Sequence, residues 1–481
     1  MDSRTNRKPT PRQAPTPRRS APGAGQHPGG AARPTAAQQP SATRRPSVRQ
    51  SATSRNPLDA ISESLSNKGG ASGISASDIP TLARQHTPVV LLAALVVLLI
   101  LIAVSTSFCA NRAATNDAAD DSSGDVVGGA ATQTQPATVH FVAVGDNLPE
   151  DQIGAYADAQ AGEVGDGVYD YTSLYEHVKP YIESADLAYV KEETHIGGDE
   201  IGPLGYPSYN TTDEMADALV ATGFDFVASA SNHAYDWGAY GANEHSCELW
   251  KTKNVAFTGT ADSEEDAQKI ATIERNGITF ALLDYTYGLN GYDQSDVPSY
   301  AVNFIDKDRI ASDVARAREQ ADVVLVAMHW GTENYMDIDD DQAEYAQYLA
   351  DLGVDVVLGS HPHVIGPMQW VEGKDGNKTL VAYSLGNFIT RHDYPLASND
   401  LEGMLSCDFV RNESGKVSVE NVVWTPLVNH TDGETFRVYA LKDYSNDLAA
   451  QNPTLADLDD PIAYLKQLTR ETVGEGFTFD D

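Results

Sequence analysis

From residue 139 onward, short aliphatic runs alternate with segments of helical period. Val139–Val144, Leu187–Val190, Phe224–Ser229, Val255–Gly259, Ile278–Asp284, Val323–Ala327 and Val354–Leu358 are the apolar runs, and Leu380–Phe388 closes the core after them. Where their apolar positions are continuous rather than alternating, they read as buried parallel strands. Tyr171–Ile182 places Leu174, Val178 and Ile182 on one face, which predicts a helix. A second helix starts at the N-cap Thr212, carries Met215, Leu219 and Val220 inward and stops near Gly223. Arg309–Gln320 and Asp337–Leu352 are two more, the last closed by Gly353. Strands interleaved with helices predict an α/β fold. From Gly403 the pattern changes to alternation, as in Val417–Val423, which predicts antiparallel strands. The acidic end, after about Ser445, reads as a peripheral helix and tail.

The first part of the chain is different. Of the 33 Lys+Arg and 69 Asp+Glu, 13 and 4 fall in residues 1–86, which leaves 20 and 65 for the rest. This basic segment is rich in Pro, Ser, Thr, Gln, Ala and Gly, and is expected to be a disordered tail. Pro88–Val104 is apolar without interruption, and Ser105–Phe108 extends it without charge. Residues 87–109 therefore predict one transmembrane helix, about 20 residues being enough to cross about 30 Å of hydrocarbon. The basic flank precedes the helix, so the amino terminus is expected in the cytoplasm and the carboxyl-terminal part outside the cell, as a single-pass protein of the cytoplasmic membrane. Residues 110–137 read as a flexible tether. Cys247 and Cys407 leave one disulfide possible in the exterior part. Its acidity is that of a soluble domain that repels polyanions at long range, and it argues against a nucleic-acid partner.

Chemistry collects where the strands end. Asp146, Glu193, Asn232, His329, His361 and His363 each follow an apolar run. The carboxyl end of a parallel strand is where open α/β sheets place their ligands. Mixed carboxylate, amide and imidazole donors suit a divalent transition ion such as Mn, Fe or Zn better than Ca. One or two ions there would support metal-assisted hydrolysis. His233, beside Asn232, is the candidate general acid.

The blocks Gly145-Asp146, Glu193-Thr194, Ser231-Asn232-His233-Ala-Tyr-Asp236-Trp-Gly238, His329-Trp-Gly-Thr-Glu333, Gly359-Ser-His361-Pro-His363-Val and Tyr383-Ser-Leu-Gly-Asn387-Phe388 occur in an order that resembles the CapA family of capsule and poly-γ-glutamate biosynthesis proteins. The resemblance covers roughly residues 138–430 and leaves 431–481 as an acidic extension. It implies a fold similar to the calcineurin-like metallophosphatases, a four-layer αββα sandwich. It also implies that Asp146, Glu193, Asn232, His329, His361 and His363 are the metal ligands, with His233 the acid. Thr286, Asn290, Glu333, Tyr383 and Asn387 would line the substrate pocket. Two positions depart from the pattern. Leu148 stands where Asp-x-His would have its histidine, and Lys191-Glu192-Glu193 replaces the family's Asn-Leu-Glu. The implied partner is an anionic envelope polymer, polyglutamate or capsular polysaccharide, together with a membrane polymer synthase. The protein is then expected to be a metal-dependent, phosphoesterase-type hydrolase or, alternatively, a non-catalytic subunit that binds the polymer or its synthase.

Overall fold

The structure, a computed structural model, describes residues 136–391 and 396–481. The basic tail, the apolar span at 87–109 and nearly all of the tether lie outside the described residues. Among the described residues no helix is long and apolar enough to cross a membrane.

Two sheets carry the fold. The first contains Ala137–Asn147 (β1), Leu187–Glu192 (β2), Phe226–Ala228 (β3), Ala256–Thr258 (β4), Asn387–Ile389 (β11), Leu401–Arg411 (β12), Val417–Thr431 (β13), Phe436–Ala440 (β14) and Thr478–Phe479 (β15). Its order is β14-β13-β12-β1-β2-β3-β4, with β11 against β1 and β15 against β13. From β1 to β4 the strands are parallel; β12 pairs antiparallel with β1, β13 with β12, and β14 with β13. The second sheet contains Ala271–Arg275 (β5), Ile278–Thr286 (β6), Val323–His329 (β7), Val356–Ser360 (β8), Met368–Glu372 (β9) and Lys378–Ala382 (β10). Its order is β5-β6-β7-β8-β10-β9, parallel except for the antiparallel edges β5 and β9.

Burial follows from strand alternation. Phe141, Leu187 and Phe226 of the first sheet meet Phe280, Leu325 and Val356 of the second in one shared core. On the outer face of the first sheet pack helices Asp151–Ala161 (α1), Lys179–Glu183 (α2), Glu214–Thr222 (α3) and Ala242–Lys251 (α4), through Ile153, Ile182, Leu219 and Trp250. Lys307–Arg318 (α5) and Asp340–Asp351 (α6) cover the second sheet through Val314 and Leu349. The result is helix, sheet, sheet, helix: the four layers expected.

Three local expectations change, and one stretch is resolved in more detail. The helix over Tyr171–Ile182 is broken into a 3₁₀ turn at Thr172–Leu174 and the short α2, although Leu174, Val178 and Ile182 are all buried. Pro180 explains the break, because it has no N–H to continue a helix but is tolerated in a first turn. Leu380–Phe388 does lie in the core, but across it the chain leaves the second sheet after β10 and enters the first at β11. Gly386 turns the corner at φ 72°. Residues 431–481 are continuous with the fold, since β14 pairs with β13 and Leu465 and Val473 of a final helix, Pro461–Val473 (α7), join the inter-sheet core. Cys247 and Cys407 are buried and free, so the disulfide left open by the sequence does not form.

Candidate metal centre

The parallel strands of both sheets end on one rim. Asp146 lies near the end of β1, Glu193 follows β2 and Asn232 follows β3. From the facing sheet, His329 closes β7 while His361 and His363 follow β8. Gly145 lets β1 reach this rim, because a Cβ there would stand 1.9 Å from the Gly386 carbonyl oxygen. His361 and His363 both adopt positive φ, 94° and 57°, a strained turn that residues other than glycine rarely take.

All six expected ligands meet. His329 Nε2 lies 2.7 Å from Asn232 Oδ1 and 3.6 Å from Glu193 Oε1. His329 Nδ1 lies 3.8 Å from Asp146 Oδ1, and His363 Nδ1 lies 3.9 Å from Glu193 Oε2. The His361 backbone N–H donates to Asp146 Oδ2 at 2.9 Å. Asp146, Glu193 and His329 form one group, and Glu193, His361 and His363 a second, each with one potential ligand atom per residue within 4.8 Å of the others. Glu193 belongs to both.

The donor set fits a cation. Asp146 Oδ1, both Glu193 carboxylate oxygens and His361 Nδ1 are buried with no hydrogen-bond partner among the described residues. Such orphaned acceptors are costly without a ligand. Burial, and then the neighbouring Glu193, pushes Asp146 up to about 8, while burial pushes Glu193 up to about 7. Burial lowers His361 to about 3 and holds His329 well below the usual imidazole range, so both are neutral donors.

Other groups aim these ligands. Ser360 Oγ lies 2.8 Å from His329 Nδ1, and Asn387 Oδ1 lies 2.9 Å from His363 Nδ1. Asn387 is itself held by the buried Glu402, which accepts from its backbone N–H at 2.6 Å and from its side-chain amide at 3.3 Å. Partners of this kind fix ring orientation in metal sites. His233 stands beside the ligand set rather than in it. Its Nδ1 lies 2.7 Å from Asp236 Oδ2, which also accepts from the Tyr209 backbone N–H at 2.7 Å.

The expected pocket residues divide. Asn290 reaches the site, its amide nitrogen 3.3 Å from His233 Nε2, and Asn387 orients His363. Glu333 is on an exposed loop after β7, close enough for its charge to raise Glu193. Thr286 is buried at the end of β6 and turns its hydroxyl to the Gly288 carbonyl. Tyr383 does not reach the site. Its ring stacks on Trp330 in the outer core, and its hydroxyl bonds Gln369, because it precedes the crossing between sheets. Leu148 is buried and supplies no ligand atom. Glu192 turns away to Asn147 at 2.8 Å. The sequence reasoning missed Tyr287, whose half-exposed ring lies 4.7 Å from that of His361 and borders a cleft of about 320 Å³ with Trp330 and Tyr345. It also missed the role of Asp236, for which the His-x-x-Asp spacing was the available signal.

Comparison with known proteins agrees with these blocks. The PGA biosynthesis protein CapA of Bacillus subtilis (strain 168) is 29% identical over 230 residues, covering 45% of this chain and 56% of that protein. The capsule biosynthesis protein CapA of Bacillus anthracis is 25% identical over 240 residues, covering 46% of this chain and 54% of that one. The matches thus span about half the length of these relatives. Among solved structures, a 5'-nucleotidase precursor from Thermus thermophilus aligns with TM-score 0.36 and 12% identity, over 69% of this chain and 59% of that one. The family model for the bacterial capsule synthesis protein PGA_cap matches residues 140–392, the span that carries all six rim ligands, and since that is more than half of the chain the protein belongs to this family.

Proposed function

We propose that the protein is a membrane-anchored, metal-dependent hydrolase of the phosphoesterase type, acting in the synthesis, export or attachment of an anionic polymer at the cell surface. The observation that carries the catalytic part is the convergence of Asp146, Glu193, Asn232, His329, His361 and His363 around orphaned, buried ligand atoms. The polymer is suggested by the family description and the names of the relatives, and polyglutamate or a capsular polysaccharide fits both. Membrane anchoring rests on the apolar span at 87–109, with a polymer synthase as the neighbour in the membrane.

Asp146, Glu193, His329, His361, His363 and the Asn232 amide oxygen would hold one or two divalent ions. When bound, such an ion supplies Lewis acidity toward a phosphoryl oxygen and lowers the pKa of water. The protein's own groups do the rest. His329 and His361 are kept neutral by burial and need lose no proton before they ligate. The Asp236 carboxylate holds Nδ1 of His233 and so orients the ring, and Nε2, beside the Asn290 side-chain amide, is the atom that would carry a proton to a departing oxygen when the ring is an imidazolium. Tyr287 flanks the ligand set, its ring 4.7 Å from that of His361.

Leu148 favours a second reading, a polymer-binding subunit without turnover, because it removes one expected ligand. The test is turnover of a simple alkyl phosphate, whose poor leaving group needs an acid, by the full chain in detergent with added Mn. Activity that is lost in His361→Ala and His233→Ala supports the hydrolase. Polymer binding that survives both substitutions, without turnover, supports the subunit.

A further inference from the structure

Lys191 is among the largest fully buried side chains of the described residues, and it offers no ligand to the metal site, although its charge favours the ionised forms of Asp146 and Glu193. Its Nζ donates to Asp284 Oδ1 at 2.7 Å and to the Ala230 carbonyl at 2.5 Å. Asp284 Oδ2 accepts from the Ala230 backbone N–H at 2.6 Å. Lysine and aspartate therefore grip the N–H and the carbonyl of one residue, Ala230. They come from different sheets, Lys191 from β2 and Asp284 from β6, and both are fully buried. Space has been made for them. At Gly259, with φ 110°, a Cβ would stand 2.2 Å from Asp284 Oδ2 and 2.4 Å from the Ala230 nitrogen.

Ala230 begins the segment that carries the chemistry. The next residue, Ser231, donates through Oγ to the Glu193 carbonyl at 3.0 Å and accepts from the His233 N–H at 3.1 Å. Asn232 and His233 follow, facing His329 and Asp236. Further along, the Asn290 backbone N–H donates to the Asn232 carbonyl at 2.8 Å, so the Lys191–Asp284 grip holds the start of the segment and Asn290 its middle. A buried ion pair is weak evidence for stability, since its desolvation offsets much of its attraction, but it can fix a geometry that apolar packing would leave loose.

We propose that Lys191 and Asp284 are positioning residues that lock the Ser229–His233 segment between the sheets, so that Asn232 faces the metal and His233 faces the leaving group. This rests on the roles given above to Asn232 and His233. Neither residue of the pair touches substrate; both act through the backbone of Ala230.

The test uses the full chain carrying Lys191→Met, Asp284→Asn, or both. Either single change leaves a buried charge without its partner and is expected to lower the melting temperature. The double change removes both charges, keeps an acceptor for the Ala230 N–H, and is the informative variant. In it, hydrogen–deuterium exchange is expected to rise in peptides covering 229–236 and to stay unchanged over 323–329. If the wild type turns over phosphoesters, the double variant should lose roughly tenfold more rate on alkyl esters, which need an acid, than on nitrophenyl esters, which scarcely do. Equal loss on both esters, or exchange that rises uniformly or not at all, overturns the proposal. A wild type without turnover on any ester overturns the hydrolase reading, and the exchange result still decides whether the pair locks the segment.

Discussion

Asp146→Asn in the metal-free protein isolates the electrostatic cost of building this site. In the folded chain, burial beside Glu193 moves the Asp146 carboxyl from 3.8 to about 8. Because the folded state holds this proton more tightly than the unfolded state, the stabilising effect of the neutral carboxyl is complete below about pH 4 and is lost as pH rises through about 8. At about 1.4 kcal/mol per unit, a four-unit shift sets a ceiling of about 6 kcal/mol, and relaxation with water entry leaves about 2–3 kcal/mol as a working figure. Asparagine cannot ionise and escapes the loss. Urea denaturation in chelator at pH 5 and pH 8 should therefore show the variant gaining on the wild type by that amount as pH rises. Saturating metal should reverse the order, because the ion favours the carboxylate that the variant lacks. A gap that is constant with pH, or a wild type that gains on the variant in chelator, would refute the reasoning.

Three further outcomes are expected. His233→Ala should lower turnover by about 10²–10⁴-fold with metal content unchanged, and Asp236→Asn should lower it less, as read by steady-state kinetics beside metal analysis. Asn387→Ala should weaken zinc binding by about 10–100-fold in competition titrations, since it frees the His363 ring without removing a ligand. Tyr383→Phe should leave both metal affinity and turnover within about twofold of wild type, because its hydroxyl bonds Gln369 outside the site.

The metal centre was legible because its residues sit where local patterns end. Val139–Val144 gives way to Asp146, and Val354–Leu358 to His361, so an assumption of parallel strands was enough to bring them together. Tyr383 and Asn387 show the limit. They are four residues apart in one motif, yet the crossing at Gly386 puts them in different sheets, and the apolar run through Leu380–Phe388 gives no sign of a corner other than that glycine. The Lys191–Asp284 pair was invisible for another reason: its partners are 93 positions apart, and Lys191 in isolation reads as a solvated charge. α1 was missed because small residues such as Gly154 and Ala155 dilute its apolar face of Ile153, Tyr156 and Ala157. The carboxyl-terminal segment looked peripheral by its acidity, but Leu465 and Val473, a helical spacing apart, were the available sign that it is buried on one side.

The central claim is that a cation belongs on the rim shared by the two sheets. Metal analysis of the full chain, purified without chelator and compared with His361→Ala, tests it most directly. The account predicts at least one tightly held divalent transition ion per wild-type chain and a clear loss in the variant. A wild type that retains no metal, or a variant that retains as much as the wild type, would contradict it.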